Sequence, residues 1–203
     1  MKLSVNIETI KGFLDAEEGK VLYQYALESS QIGPCLEIGS YCGKSTVYLG
    51  SACREKQAVL FAIDHHRGSE EHQIGEEYHD QELYDAENCQ FDSFQEFRRT
   101  LNRAKLEETV VPMVAKSALV AKNWNIPLGM VFIDGGHSQE ATLNDYRSWS
   151  VFVKQGGILA IHDIFPDPEK GGQAPFEIWQ MAIASGLFEE IELFETLGIL
   201  RRI

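Results

Sequence analysis

The sequence predicts an α/β protein built on a mostly parallel sheet. Three observations carry this. Short apolar runs ending in acids recur along the chain, at Cys35-Leu36-Glu37-Ile38, Ala58 to Asp64 and Gly129 to Asp134. Stretches of helical periodicity separate them, the pattern of βα units. The tail from Glu190 to Phe194 and from Leu197 to Arg201 alternates around Glu195-Thr196, as in a hairpin, and adds an antiparallel edge.

Each element can be justified in order. Asp15-Ala16-Glu17-Glu18 resembles a capping box, and Val21, Leu22, Tyr25 and Ala26 follow at helical spacing. This helix is expected to pack beside the first strand, residues 34–39. A helix follows over 44–54, and a second, buried strand over 58–64. From His65 to about Gln90 the pattern breaks into a polar, acidic stretch rich in His and Tyr. It is too long for an ordinary βα loop and reads as an insertion or lid. Helical periodicity returns over 91–106 through Phe94, Phe97 and Leu101. Residues 109–114 form a third strand, shortened by Pro112. A short helix over 118–124, a strand over 129–134, a helix over 139–152, a strand over 156–161 and a helix over 174–184 complete the series. No internal repeat or second domain is evident, so residues 1–203 read as one domain.

Composition narrows the function. The formal net charge of -13 disfavours a nucleic-acid partner, which needs a basic footprint. Four cysteines without C-x-x-C spacing read as reduced thiols, pointing to a cytoplasmic protein. No signal peptide or membrane span is apparent. A homo-oligomer stays open.

The most informative segment is Glu37-Ile38-Gly39-Ser40-Tyr41-Cys42-Gly43-Lys44-Ser45. A strand ends in an acid, turns through two glycines and opens a helix, the geometry of nucleotide-type cofactor sites. The spacing G-x-x-x-G is not the G-x-G-x-x-G of dinucleotide binders, and it is one residue short of a P-loop. Glu37 would repel phosphates and suits a ligand with a positive end. Asp64, about 25 residues beyond the turn, is placed to accept hydrogen bonds from ribose hydroxyls. Asp134-Gly135-Gly136-His137 and His162-Asp163 end two further strands, where open α/β sheets bind ligands. Asp134 and Asp163 offer hard oxygen ligands to magnesium, while the imidazole of His162 suits zinc, iron or manganese equally well. A divalent cation is therefore an open expectation. His137 has a pKa suited to a general base near neutral pH. His65, His66, His72 and His79 crowd the insertion without any recognisable zinc spacing and read as part of a solvated acidic lid.

The glycine segment resembles motif I of class I S-adenosylmethionine-dependent methyltransferases, and most closely the catechol-type O-methyltransferases, with Glu37, Gly39, Tyr41, Gly43 and Ser45 all matching. The I-D-G-G-H-S stretch is similar to small-metabolite methyltransferases. The resemblance implies a Rossmann-like fold with a seven-stranded sheet, an antiparallel C-terminal strand and helices on both faces. It implies S-adenosylmethionine contacts at Glu37, Gly39, Ser40, Tyr41, Gly43, Ser45, Asp64, His65, Ser117 and Asp134, with Ser117 beside the adenine. It also implies metal ligands at Asp134, His162 and Asp163, and catalytic roles for Asp134 and for His137, which stands where catechol-type enzymes place a lysine. The expected reaction is methyl transfer to an oxygen of a small molecule. Two rival readings remain: a nucleotide hydrolase with a degenerate P-loop, and a non-catalytic cofactor-binding protein of the same fold.

Overall fold

The computed structural model describes residues 1–69 and 80–203. Helix α1 (Ala16–Ser29) is capped by Asp15, whose side chain accepts from the Glu17 N–H at 2.7 Å. Strand β1 (Cys35–Ile38) leads into α2 (Lys44–Glu55), and β2 (Leu60–Asp64) follows. Two short strands, β3 (Tyr84–Asp85) and β4 (Gln90–Phe91), precede α3 (Phe94–Ala104). The chain continues through β5 (Val110–Val114), α4 (Ser117–Ala121) and β6 (Leu128–Ile133). Then come α5 (Gln139–Trp149), β7 (Val153–Ile161), α6 (Ala174–Ala184) and the hairpin β8 (Phe188–Phe194) and β9 (Leu197–Arg202).

Seven of these strands form one sheet in the order β5-β2-β1-β6-β7-β9-β8. Pairings from β5 through β7 are parallel, and β9 pairs antiparallel with both β7 and β8. The expected Rossmann-like sheet with its antiparallel C-terminal strand is therefore present. Pro112 lies on β5 at the sheet edge, opposite Ala62, where a missing N–H breaks no ladder.

Both faces are covered, which explains why the inner strands read as continuous apolar runs. Along β6, Met130 and Phe132 pack into one core with Leu22 of α1, Leu49 of α2 and Phe97 of α3. Val131 and Ile133 point the other way, onto Trp149 of α5 and Ile178 and Trp179 of α6. Helix α1 packs mainly on α2, with further contacts to β6 and β7, and shares its core with Cys35 of β1, as expected. Among the described residues, no helix is long and apolar enough to cross a membrane.

The stretch expected to be a featureless insertion is partly ordered structure. Residues 81–83 form a 3-10 turn, and β3 pairs antiparallel with β4. Phe91 thus belongs to this small hairpin and not to the helix that follows. His72, Tyr78 and His79 lie outside the described residues.

Gly39 illustrates how the sheet sets the site. It adopts φ +91°, and a Cβ there would overlap the backbone carbonyl of Asp134. From the sequence, a side chain at Gly39 is expected to fill ligand space. The structure gives a different reason: the ends of β1 and β6 approach too closely for any side chain. Gly39→Ala should therefore cost at least about 2 kcal/mol of stability through overpacking and backbone strain. Gly172, where an added Cβ would meet nothing within 4 Å, serves as the control. Equal denaturant midpoints for Gly39→Ala and Gly172→Ala would refute this account.

Candidate active site

The carboxyl ends of β1, β2, β6 and β7 carry most of the residues singled out from the sequence. Glu37 is fully buried. Its Oε2 accepts from the Thr46 hydroxyl at 2.6 Å, while its Oε1 is buried with no hydrogen-bond partner among the described residues. Burial pushes its carboxyl up to about 8, against the opposing pull of the Ser45 and Thr46 hydroxyls and with the negative charges of Asp134 and Asp64 adding to the rise. Ser40 is likewise buried, and its Oγ has no partner. An orphaned buried carboxyl oxygen is costly unless a ligand completes it.

Gly43, at φ +93°, opens α2 and faces Phe97 and Thr100 of α3. Its role is close helix packing. Cys42 is buried against Leu83 and Phe91, as a packing residue. Lys44 packs its stem on Gly12 and directs Nζ to the Gly12 carbonyl at 3.4 Å. A P-loop lysine would instead reach over the loop, so the hydrolase reading finds no support here.

Asp64 holds two backbone turns at once. Its Oδ2 accepts from the Tyr41 N–H at 2.8 Å, and its Oδ1 from the His66 N–H at 2.7 Å. Each oxygen keeps a second lone pair for a further donor. Tyr41 and His66 both have positive φ, at 46° and 56°. His65 turns its Nδ1 to the Arg67 N–H at 3.1 Å. His66 is no part of a solvated histidine cluster: it is buried, bonded to Ser93 Oγ at 2.8 Å and packed between Phe94 and Phe97.

Ser117 starts α4, and Lys116 is the cap residue. The Ser117 hydroxyl donates a short hydrogen bond to Asp145 of α5. Asp145 is buried, which pushes its carboxyl up to about 6 against that bond. The sequence reading missed Asp145. Its only cue was an acid on the same face of the helix as Trp149, at i,i+4 spacing.

The acids and histidines of β6 and β7 form one network. Nδ1 of His162 lies 3.0 Å from Asp134 Oδ1 and 3.4 Å from Asp163 Oδ2. Its Nε2 lies 2.9 Å from Glu18 Oε2. The other oxygen of Glu18 accepts from the Thr196 N–H at 2.8 Å and from its hydroxyl at 2.7 Å. Asp163 Oδ2 also meets His137 Nε2 at 2.9 Å, and Asp163 is held at φ 58°. Glu18 was expected to complete a capping box. Instead it turns inward, on the face shared with Leu22 and Ala26, and is buried. That i,i+4 spacing with an apolar stripe was the available signal.

Carboxyl groups facing both ring nitrogens of His162 favour a donor at each, that is, an imidazolium. Burial would lower its pKa, but the charge of Asp134 and the bonds to Asp134, Asp163 and Glu18 raise it well above the usual histidine range. Burial would likewise raise Glu18 and Asp163, yet the histidine and hydroxyl donors around them hold both below the usual carboxylate range. For Asp134, burial outweighs His162 and its carboxyl is raised.

One ligand-type atom from each of Asp134, His162 and Asp163 lies within 4.8 Å of the others. The structure thus brings the three expected metal ligands together. The arrangement does not fit a resident divalent ion, however. Both His162 nitrogens are engaged, and the carboxylate oxygens converge on its Nδ1–H.

Removing one partner of a buried pair leaves the other charge uncompensated, so Glu18→Ala should cost about 3–5 kcal/mol. The raised His162 contributes fully below its ordinary value of 6.5 and loses its contribution as pH rises through the folded value. The lowered Glu18 contributes fully above its ordinary 4.5 and loses its contribution as pH falls. The stability gap between variant and wild type should be widest between about pH 5 and 6.5. A gap that keeps growing towards pH 9 would contradict the imidazolium assignment.

Solved structures of known proteins share this fold at low identity. Cofactor-bound Rv0187 from MTB aligns with a TM-score of 0.67 at 15% identity, over 96% of this chain and 84% of its own. The O-methyltransferase from Bacillus cereus in complex with SAH gives 0.65 at 15%, over 94% and 83%. The O-methyltransferase TomG from Streptomyces achromogenes, involved in tomaymycin synthesis and in complex with SAM, gives 0.64 at 16%, over 94% and 81%. A family model described as a methyltransferase domain matches residues 36–164, which include the glycine turn and the acids ending β1, β2, β6 and β7. Matched over more than half of its length, this chain belongs to that methyltransferase-domain family.

Proposed function

We propose that this protein transfers a methyl group from S-adenosylmethionine to an oxygen of a small-molecule acceptor. The observation that carries the reading is the orphaned Oε1 of Glu37, buried at the strand end beside the glycine turn. A buried carboxyl oxygen without a donor among the described residues fits the ammonium end of the cofactor, and the Ser40 hydroxyl beside the same turn, also without a partner there, fits a polar ligand group. Two of the similar structures are described with SAM or SAH bound, and both are O-methyltransferases.

In this reading Glu37, Gly39, Ser40, Tyr41, Gly43 and Ser45 form the turn that holds the amino-acid end. Asp64 and His65 serve the ribose, and Ser117, fixed by Asp145, serves the adenine. S-adenosylmethionine, when bound, supplies an electrophilic methyl on a sulfonium. The chain's own work is alignment and proton removal. His137 takes the acceptor's hydroxyl proton. Asp163, 2.9 Å from its Nε2, fixes the ring and stabilises the charge that His137 gains. Asp134, anchored on His162, lines the same crevice as His137. The net charge of -13 favours a small acceptor over a nucleic acid.

Cofactor binding should depend on pH through Glu37. With its carboxyl up at about 8, most of it is protonated at pH 7 before a ligand enters. Pairing with an ammonium group requires the carboxylate, so binding should release a proton and tighten as pH rises towards 8. Calorimetry of S-adenosylhomocysteine in buffers of different ionisation enthalpy counts that proton. Glu37→Gln should remove the Glu37 share, leaving only the ligand's own ionisation; an identical proton count in both proteins would sink the assignment.

Asp64→Ala should weaken S-adenosylhomocysteine by about 1–3 kcal/mol, the scale for hydrogen bonds to a charged group. An unchanged Kd would leave Asp64 as a turn residue only. His137→Ala should lower turnover by about 10²–10⁴-fold with little change in cofactor Kd. Raising pH should partly restore it by ionising the acceptor. Full turnover in the variant would remove His137 as the base.

A further inference from the structure

We propose that His162, clamped between Asp134 and Glu18, occupies the point where a divalent cation would have to sit, so that methyl transfer by this chain proceeds without one. Glu18 is the positioning residue that keeps it there. The inference rests on the methyltransferase reading for its reaction, but its geometry stands independently.

The argument starts from where the carboxylate oxygens point. A cation between β6 and β7 would draw its ligands from Asp134 and Asp163. The Oδ1 of Asp134 and the Oδ2 of Asp163 instead converge on one atom, Nδ1 of His162, at 3.0 and 3.4 Å. The imidazole N–H therefore lies at the focus of the two acids. For Nδ1 of His162 to act as a ligand it would have to give up its contacts with Asp134 and Asp163, a cost to any metal bound there. Here the cost is larger, because Glu18 accepts from the opposite nitrogen at 2.9 Å and the pair is almost fully buried. Turning the ring towards a metal would leave the Glu18 carboxylate unpaired inside the protein.

Glu18 is itself pinned. Thr196, in the turn between β8 and β9, donates both its N–H and its hydroxyl to Oε1. The carboxylate can neither swing away to release His162 nor reach past it to bind a cation. The result is a fixed positive charge at the strand ends, supplied by the chain. It orients Asp134 and Asp163, and through Asp163 it orients His137. A metal would orient and polarise the acceptor hydroxyl directly. With the imidazolium in its place, removal of the proton falls to His137.

Electron paramagnetic resonance of Mn²⁺, titrated into the full chain with S-adenosylhomocysteine present, tests this without any acceptor. Wild type should bind no Mn²⁺ below about 1 mM, the weak end of protein sites for hard cations. His162→Asp, which replaces the imidazolium by a third strand-end carboxylate, should bind one Mn²⁺ at least tenfold more tightly than wild type. Glu18→Gln, which removes the clamping charge and keeps an acceptor for Thr196, should also tighten Mn²⁺. Tight binding of one Mn²⁺ by wild type, abolished by Asp163→Ala, would overturn the proposal. So would a folded His162→Asp variant that binds no better than wild type, because the cavity would then suit no cation. If His162→Asp does not fold, Glu18→Gln decides: affinity equal to wild type removes Glu18 from the role given to it. Failure of S-adenosylhomocysteine to bind at all would count against the methyltransferase reading and leave the Mn²⁺ comparison readable.

Discussion

The buried contact between Glu18 and His162 is the constraint on which the carboxyl ends of β6 and β7 depend. A carboxylate and an imidazole cannot leave water separately without a cost of several kcal/mol each. They can be buried only if α1, the end of β7 and the turn before β9 dock together. Once docked, the order of dependence is plain. Glu18 fixes His162, His162 fixes Asp134 and Asp163, and Asp163 fixes His137. A helix residue 144 positions from His162 in sequence thereby sets the position of the proposed base.

A second group of contacts holds unfavourable backbone at the strand ends. Tyr41, His66 and Asp163 are non-glycine residues with positive φ. Such residues persist only where surrounding contacts over-determine them. The turns at Tyr41 and His66 are held by one carboxylate, Asp64, through their backbone N–H groups. The turn at Asp163 is held by its two histidines. The acids read from the sequence as ligand contacts are therefore also the residues that shape the loops. Changing one of them would alter both the ligand's partner and the geometry of the loop around it.

This double use explains what was legible in the sequence and what was not. The strands were legible because burial on both faces leaves continuous apolar runs, as in β6. The hairpin β8–β9 was legible from alternating residue types around Glu195-Thr196, although burial along its strands does not alternate. Glu37, Asp64, Asp134 and Asp163 were legible as acids at strand ends. Glu18 was not, because Asp15-x-x-Glu18 satisfies a capping pattern that local spacing cannot distinguish from a buried contact 144 residues away. Asp145 was hidden for the same reason: it pairs with Ser117 across helices, and no short-range pattern marks such a pair. His66 was misread because a buried histidine and an exposed one look alike inside a polar stretch. The reason for Gly39 was also invisible, since the close approach of Asp134 arises from strand register.

The balance of charge at these strand ends bears on which ligand the turn can take. Glu37 feels the negative charges of Asp134 and Asp64, and both raise its pKa further. Lys44, the nearest lysine in sequence, is directed to the Gly12 carbonyl. Within the turn, the N–H groups of Gly39, Tyr41 and Gly43 are taken by Ile63, Asp64 and Ser40, and acids surround it. A polyphosphate would meet repulsion from these acids in a poorly screened interior. A ligand carrying an ammonium and a sulfonium would gain from the same field, and it would give Oε1 of Glu37 a partner. The His162 imidazolium does not cancel this preference, because Glu18, Asp134 and Asp163 already surround it. The glycine turn alone permits several cofactors. The acids behind it select a cationic one.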